Sequence, residues 1–324
     1  MVTPASTAGM PVEHMRVAGI TALGAAVEIF EVDEPASPAA GEVVVEVAAA
    51  GIGNWDDLVR IGSWQIGGPP PMALGTSAAG TVTAVGPGVS EFREGDEVLT
   101  HPLPLRRHGT WASRLLTPVE AVAARPAEAS WEASGAFPIP ALTAAQALDE
   151  ALGIERGDWV VVNGAGGVTG GMLVQLAAAR GARVIATASA KKAARVRDYG
   201  ASEVLDYHDD WPMLAREITG GGAPKAVNAA PGQAATTLQA VADGGRLATI
   251  TGDPPPEERG VAVSDVYVRP DGRQLSALAE LLARGALRVP IASVRPLEQA
   301  AEALREAVAG ADGAVVLSLT GAAC

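Results

Sequence analysis

The chain has a single cysteine, Cys324, at its last position. One thiol builds neither a disulfide framework nor a thiolate zinc cluster, and this one offers no plausible catalytic nucleophile. Long apolar runs are missing too: no stretch reaches the ~18 consecutive apolar residues that a spanning helix needs. The first dozen residues lack the basic segment and apolar run of a secretory leader, so a cytoplasmic protein is expected. Basic residues are outnumbered, 24 Lys and Arg against 37 Asp and Glu, for a net charge of −13. That excess repels phosphate backbones and anionic surfaces, so neither nucleic acid nor membrane is expected as a partner. There is no G-x-S-x-G elbow, no G-x-x-x-x-G-K-[ST] loop and no H-E-x-x-H, which removes the common hydrolase and NTPase readings.

What is present is apolar and ordered. With 324 residues, 48% of them hydrophobic, the chain predicts about two domains at ~150 residues each. Residues 1–14, small, polar and interrupted by Pro4 and Pro11, read as a flexible leader. From residue 15 to about 120, short runs such as EVVVEVA (42–48) and GTVTAV (80–85) lie between Gly, Pro and Asp clusters, a mostly β pattern. From about residue 130 strands alternate with helices, as in βαβ units on a parallel sheet. Strands are predicted at 159–163, 183–188, 203–206, 226–229 and 246–251, and an Ala- and Leu-rich helix at 169–180, stopped by Gly181. A helix at 297–309 and a last strand at 314–319 follow. That strand is expected to return to the first domain, giving 15–128 with 288–324 as one unit and 129–287 as the other.

The strongest motif is DWVVVNGAGGVTGG, residues 158–171: a β-branched strand, a glycine cluster, then a helix. In that order, glycines let backbone N–H groups approach a pyrophosphate, whose charge the helix N-terminus stabilises. Gly164, Gly166 and Gly167 stand where this requires, but a strict G-x-G-x-x-G would have glycine at position 169, where Thr169 is found before Gly170. About 20 residues on, where an NAD site usually offers an acid to the ribose, the sequence reads Thr187, Ala188, Ser189, Ala190, Lys191, Lys192, then Arg195. Cations and a hydroxyl suit a 2′-phosphate, so NADPH is the expected cofactor, with Ser189 and Lys192 as contacts.

Five stretches carry a resemblance that runs from about residue 15 to 320: AAGIGNWDDLVRIGSW (49–64), LGTSAAGTVTAVGPGVSEFREGDEV (74–98), GTWASRLL (109–116), PALTAAQAL (140–148) and VVVNGAGGVTGGMLVQLA (160–177). In this order they resemble the medium-chain dehydrogenase/reductase superfamily, and within it the zinc-free quinone oxidoreductase group. The resemblance implies an α/β protein: a GroES-like, mostly β substrate domain plus a Rossmann domain with a doubly wound parallel sheet, the active site lying between them. Zinc-dependent members carry Cys or His before the Asp of the first motif and Gly-His-Glu in the second. Here Gly53 and Asn54 precede Asp56, and the second motif is Gly75, Thr76, Ser77, so no metal is expected.

Without a Lewis acid, hydride transfer to an already electrophilic quinone or enone remains open, with enoyl thioester reduction and redox-inactive NADPH binding as alternatives. The resemblance implies Thr143 as a positioning group, and Asp56 and Asn54 as the other catalytic candidates; Asp56 either orients a donor or makes a structural hydrogen bond. Positions often tyrosine in the family are Leu58 and Trp64, so Trp55 and Trp64 are expected to line an apolar pocket, while Trp111 is assigned to the core. His101 and His108 flank the loop HPLPLRRH, which would border the cleft, and His108 is placed among the substrate contacts. The expected cofactor contacts are completed by Val168, Thr169, Tyr207 and Thr251. Residues 260–268 (GVAVSDVYV) alternate like an edge strand, and by analogy with the family a homodimer is expected to pair there.

Overall fold

The computed structural model describes residues 14–319. The expected leader lies outside these residues except for His14, and Cys324 lies outside them as well. The first half contributes β1 (His14–Ile20), β2 (Glu28–Asp33), β3 (Glu42–Ile52), α1 (Asn54–Ile61), β4 (Met72–Ala73), β5 (Ala78–Val85), β6 (Glu97–Thr100), β7 (Arg114–Pro118) and β8 (Val122–Ala124). Then come α2 (Trp131–Ala136), α3 (Pro138–Ala145), β9 (Trp159–Asn163), α4 (Val168–Ala179), β10 (Arg183–Ala188), α5 (Ala190–Asp198), β11 (Glu203–Asp206), α6 (Trp211–Thr219), β12 (Ala223–Asn228), α7 (Ala234–Gln239) and β13 (Val241–Thr249). The chain continues through β14 (Ala262–Asp265), α8 (Gly272–Ala283), β15 (Ile291–Pro296), α9 (Ala300–Val308) and β16 (Ala314–Ser318).

Two main sheets result. The first runs β15-β16-β3-β5-β6-β8, with β7 also on β3; β16 lies antiparallel to β3, so the chain returns to the sheet it began. The second is six-stranded and parallel, in the order β11-β10-β9-β12-β13-β14, the topology of a doubly wound Rossmann sheet. Its central strand β9 reads WVVVN with Val160, Val161 and Val162 wholly buried, as expected of a strand covered on both faces. Helices α3, α4 and α8 supply one covering layer with Leu142, Leu173, Leu176 and Leu275. The other face is filled by Val161, Ile185, Trp211 and Leu247.

The bounds of β9, β10 and β11 are those expected from sequence. Strands β12 and β13 start three and five residues earlier than expected, because parallel pairing of Ala223 with Val241 carries them through Pro224 and the Gly244-Gly245 pair. Within residues 260–268 only β14 is strand, and it does sit at the sheet edge. Among the described residues no helix is long and apolar enough to cross a membrane.

Candidate active site

The carboxyl ends of β9, β10, β12 and β13 meet at one rim, where an open parallel sheet binds ligands. After Asn163 the chain turns through Gly164 at φ +86°, a left-handed conformation natural to glycine; a Cβ there would lie 2.9 Å from the Ala229 carbonyl carbon. The Gly164 N–H donates to Thr187 Oγ1 (2.9 Å), and Thr187 in turn donates to Asn163 Oδ1 (2.6 Å), so β10 holds the turn. Gly167 caps α4, whose first N–H groups have no partner within the helix. The close approach of helix to turn occurs at Gly170, where a Cβ would stand 2.1 Å from the Gly164 carbonyl oxygen. Position 169, where a strict motif wants glycine, is free to carry Thr169, which is half-buried; the motif is displaced by one residue rather than broken. Val168 packs against the cluster formed by Ala49, Ala136, Ala314 and Val316, joining the glycine loop to the first sheet.

The rim also holds a polar network that sequence reasoning missed. Asn163 Nδ2 donates to Asn228 Oδ1 (3.1 Å) and Thr237 Oγ1 (3.0 Å), and Asn228 Nδ2 donates to Thr251 Oγ1 (2.8 Å). Thr249 and Thr251 share a hydroxyl contact, and both donate to Asp253. Thr251, expected among the nucleotide contacts, is tied into this network at the rim.

At the neighbouring strand end, Ser189 caps α5 without using its hydroxyl, so that group is available to a ligand. The Lys192 stem covers Gly166, where an added Cβ would lie 2.8 Å from Lys192 Cδ. Arg195 reaches the Gly166 carbonyl (3.3 Å). Tyr207, beyond β11, is 51% exposed and stacks on His208 at 4.1 Å between centroids.

On the first sheet, Ala50 pairs with Ala78 and Ala78 with Thr100, so α1, Thr76 and His101 follow at one sheet end. Asp56 is wholly buried, and its Oδ2 accepts the Gly53 N–H (2.8 Å): the structural hydrogen bond, one of the two expected roles. Its Oδ1 has no partner among the described residues, and burial pushes its pKa up to about 8, only partly offset by the Gly53 bond. His101 Nδ1 lies 2.7 Å from the Thr76 carbonyl, an acceptor only, so the proton sits on Nδ1 and Nε2 is a bare, buried acceptor. Burial depresses the imidazole to about 4. Asn54 is exposed at the start of α1, and the Trp55 ring lies against Gly53, leaving no room for a side chain there.

A cleft of about 570 Å³ is lined by Trp64, by Leu103, Pro104 and Leu105 of the HPLPLRRH loop, and by Val268, Arg269 and Pro270 from beyond β14. Its walls therefore come from both halves of the chain. His108, expected among the substrate contacts, lines another pocket, of about 270 Å³, with Asp33, Arg106 and Arg107. Thr143, 6% exposed on α3, makes no side-chain hydrogen bond among the described residues. Trp111 is wholly buried in the core, as expected.

An alcohol dehydrogenase GroES-like domain model matches residues 39–126 and a zinc-binding dehydrogenase model residues 199–317. Among the described residues no three His, Cys, Asp or Glu groups converge, and positions 53 and 76 are Gly and Thr. The chain is 35% identical to the quinone oxidoreductase of Salmonella typhimurium over 58% of its own length and 57% of that protein's. It thus spans little more than half of that relative. A crystal structure of an NAD-dependent alcohol dehydrogenase superposes with a TM-score of 0.85 at 32% identity, covering 94% of this chain and 100% of that one. A mycobacterial protein complexed with NADPH superposes with a TM-score of 0.82 at 27% identity, covering 94% and 100%. With a GroES-like domain, a Rossmann sheet and a glycine cradle at its rim, the chain belongs to the medium-chain dehydrogenase/reductases, and a quinone oxidoreductase is among its relatives.

Proposed function

We propose that the chain is a zinc-independent, NADPH-dependent reductase of quinones or α,β-unsaturated carbonyls. The observation that carries this reading is a glycine cradle beside Lys191, Lys192 and Arg195, with no acid at the end of β10 to receive a ribose 2′-hydroxyl. Bound NADPH supplies a hydride. Gly166, Val168 and Thr169 present backbone N–H groups to the pyrophosphate, Gly164 and Gly167 shape the turn that lets it approach, and Ser189, Lys192 and Tyr207 surround the 2′-phosphate. Residues 129–287 serve as the cofactor unit, and 15–128 with 288–324 as the substrate unit.

Hydride addition at carbon places negative charge on the acceptor oxygen, and one proton completes the reduction. Thr143 positions the reacting partners with an unused hydroxyl, and Trp64 and Leu105 supply an apolar wall for a flat substrate. Asp56 holds a proton through the neutral range and anchors the turn that carries Asn54 and Trp55. Thr143→Val and Asp56→Asn are each expected to lower turnover about tenfold or more while NADPH affinity stays within twofold. Unchanged turnover would remove the residue concerned from the mechanism.

The deciding experiment follows NADPH absorbance against a panel of quinones, enones and enoyl thioesters, beside titrations with NADPH and NADH. Quinone- or enone-dependent decay is expected, with NADPH bound at least tenfold more tightly than NADH. Decay with enoyl thioesters alone would move the substrate class; tight binding with no decay on any acceptor would favour a non-redox role. No binding would overturn the reading. A homodimer paired through the β14 edge is proposed with it, and light scattering at micromolar concentration should give twice the chain mass of 32.7 kDa. A monomer would remove that contact.

A further inference from the structure

The three cations beside the glycine loop share one carboxylate, Asp312, supplied from the loop between α9 and β16. Arg195 donates to Asp312 Oδ1 (2.8 Å) and to its backbone carbonyl (3.3 Å), while Lys192 and Lys191 stand 3.6 and 3.7 Å from its two carboxylate oxygens. Arg195 spans from this carboxylate to the Gly166 carbonyl, so Asp312 is held at the mouth of the cradle itself. The hydrogen bond from Arg195 holds the Asp312 carboxyl below the usual range. One carboxylate against three cations leaves the cluster positive but partly discharged. Lys192 and Arg195, the two half-buried members, both face it.

We propose that Asp312 is an internal competitor for the cofactor's 2′-phosphate: it occupies the cations in the free protein and must release them when NADPH binds. The proposal rests on the NADPH reading above. It makes Asp312 a specificity-determining residue that lowers affinity for NADPH and leaves NADH untouched. Because Asp312 lies four residues before Val316, which shares a cluster with Val168, its release also frees a tie between the cofactor loop and the substrate-side sheet.

The test is Asp312→Asn, titrated with NADPH and NADH at low and at physiological ionic strength. NADPH affinity is expected to rise about three- to tenfold, the size of a few exposed ion pairs, with a larger gain at low salt and NADH within twofold. Asp312 is exposed in a loop, so the variant should fold; an unchanged melting temperature verifies this. In a Lys191→Ala/Lys192→Ala/Arg195→Ala background the same substitution should have no effect. A parent that prefers NADPH, with no gain in Asp312→Asn, overturns this proposal alone. A parent blind to the 2′-phosphate whose Asp312→Asn variant gains a preference supports the proposal and revises the cofactor reading. Indifference in both overturns the two together.

Discussion

Gly170→Ala is expected to destabilise the protein by about 2 kcal/mol and to weaken NADPH binding at least tenfold. The added methyl would lie 2.1 Å from the Gly164 oxygen, 2.7 Å from its carbonyl carbon and 2.9 Å from Ala165 Cα, all of them backbone. Nothing there can rotate aside, so α4 itself must move away from the turn and take its N-terminal amides with it. Gly167→Ala is the control, because its methyl would meet the Gly164 oxygen at 3.6 Å, an ordinary contact, at a negative φ. Thermal unfolding and NADPH titration of the two variants decide the matter. If both behave alike, the close helix contact is not what shapes the cradle.

Stability is expected to be nearly level from pH 4 to 6.5 as far as Asp56 and His101 control it, and then to fall by about 2 kcal/mol between pH 6.5 and 8. The signs follow from the two shifts. Asp56 is raised from 3.8 to about 8, so between those values the folded chain keeps a proton that the unfolded chain has lost, and stability declines as pH rises. His101 is lowered from 6.5 to about 4, so between those values the unfolded chain carries the extra proton, and stability declines as pH falls. The two slopes cancel where they overlap, and only Asp56 acts above 6.5. Asp56→Asn keeps an acceptor for the Gly53 N–H but cannot ionise, so urea midpoints of that variant should no longer fall from pH 6.5 to 8. A parallel decline in both proteins would sink the assignment. A variant that is more stable yet slower would mark Asp56 as a group kept for chemistry at a cost in stability.

Much of this site was legible because its signals are local. The Val160–Val162 run, the glycines after it and the Ala-rich helix lie within twenty residues, each fixing its own backbone conformation, and β9 to β11 fall where pattern alone puts them. The register of the third glycine was not legible. Whether position 169 or 170 meets the turn depends on how α4 starts, and only the approach to Gly164 distinguishes them. The rim network escaped notice because Asn228 and Thr237 carry no local mark of a partner, and Asn163 meets them 65 and 74 residues away. Asp312 meets Arg195 across 117 residues, in a loop whose composition reads only as a turn. The pocket that His108 lines was not legible either, because a loop sequence does not say which side of the sheet its last residue faces.

The pairing of β16 with β3 joins residues 314–318 to a strand that ends at Ile52, about 260 positions earlier. On a translating ribosome at roughly 5 to 20 residues per second, the edge of β3 therefore waits about 13 to 50 seconds for its neighbour. All six strands of the parallel sheet emerge within that interval. The parallel sheet can thus be assembled while the opposing sheet still lacks the strand that completes it. In the first sheet, the β3 edge is therefore the one left longest without its partner during synthesis.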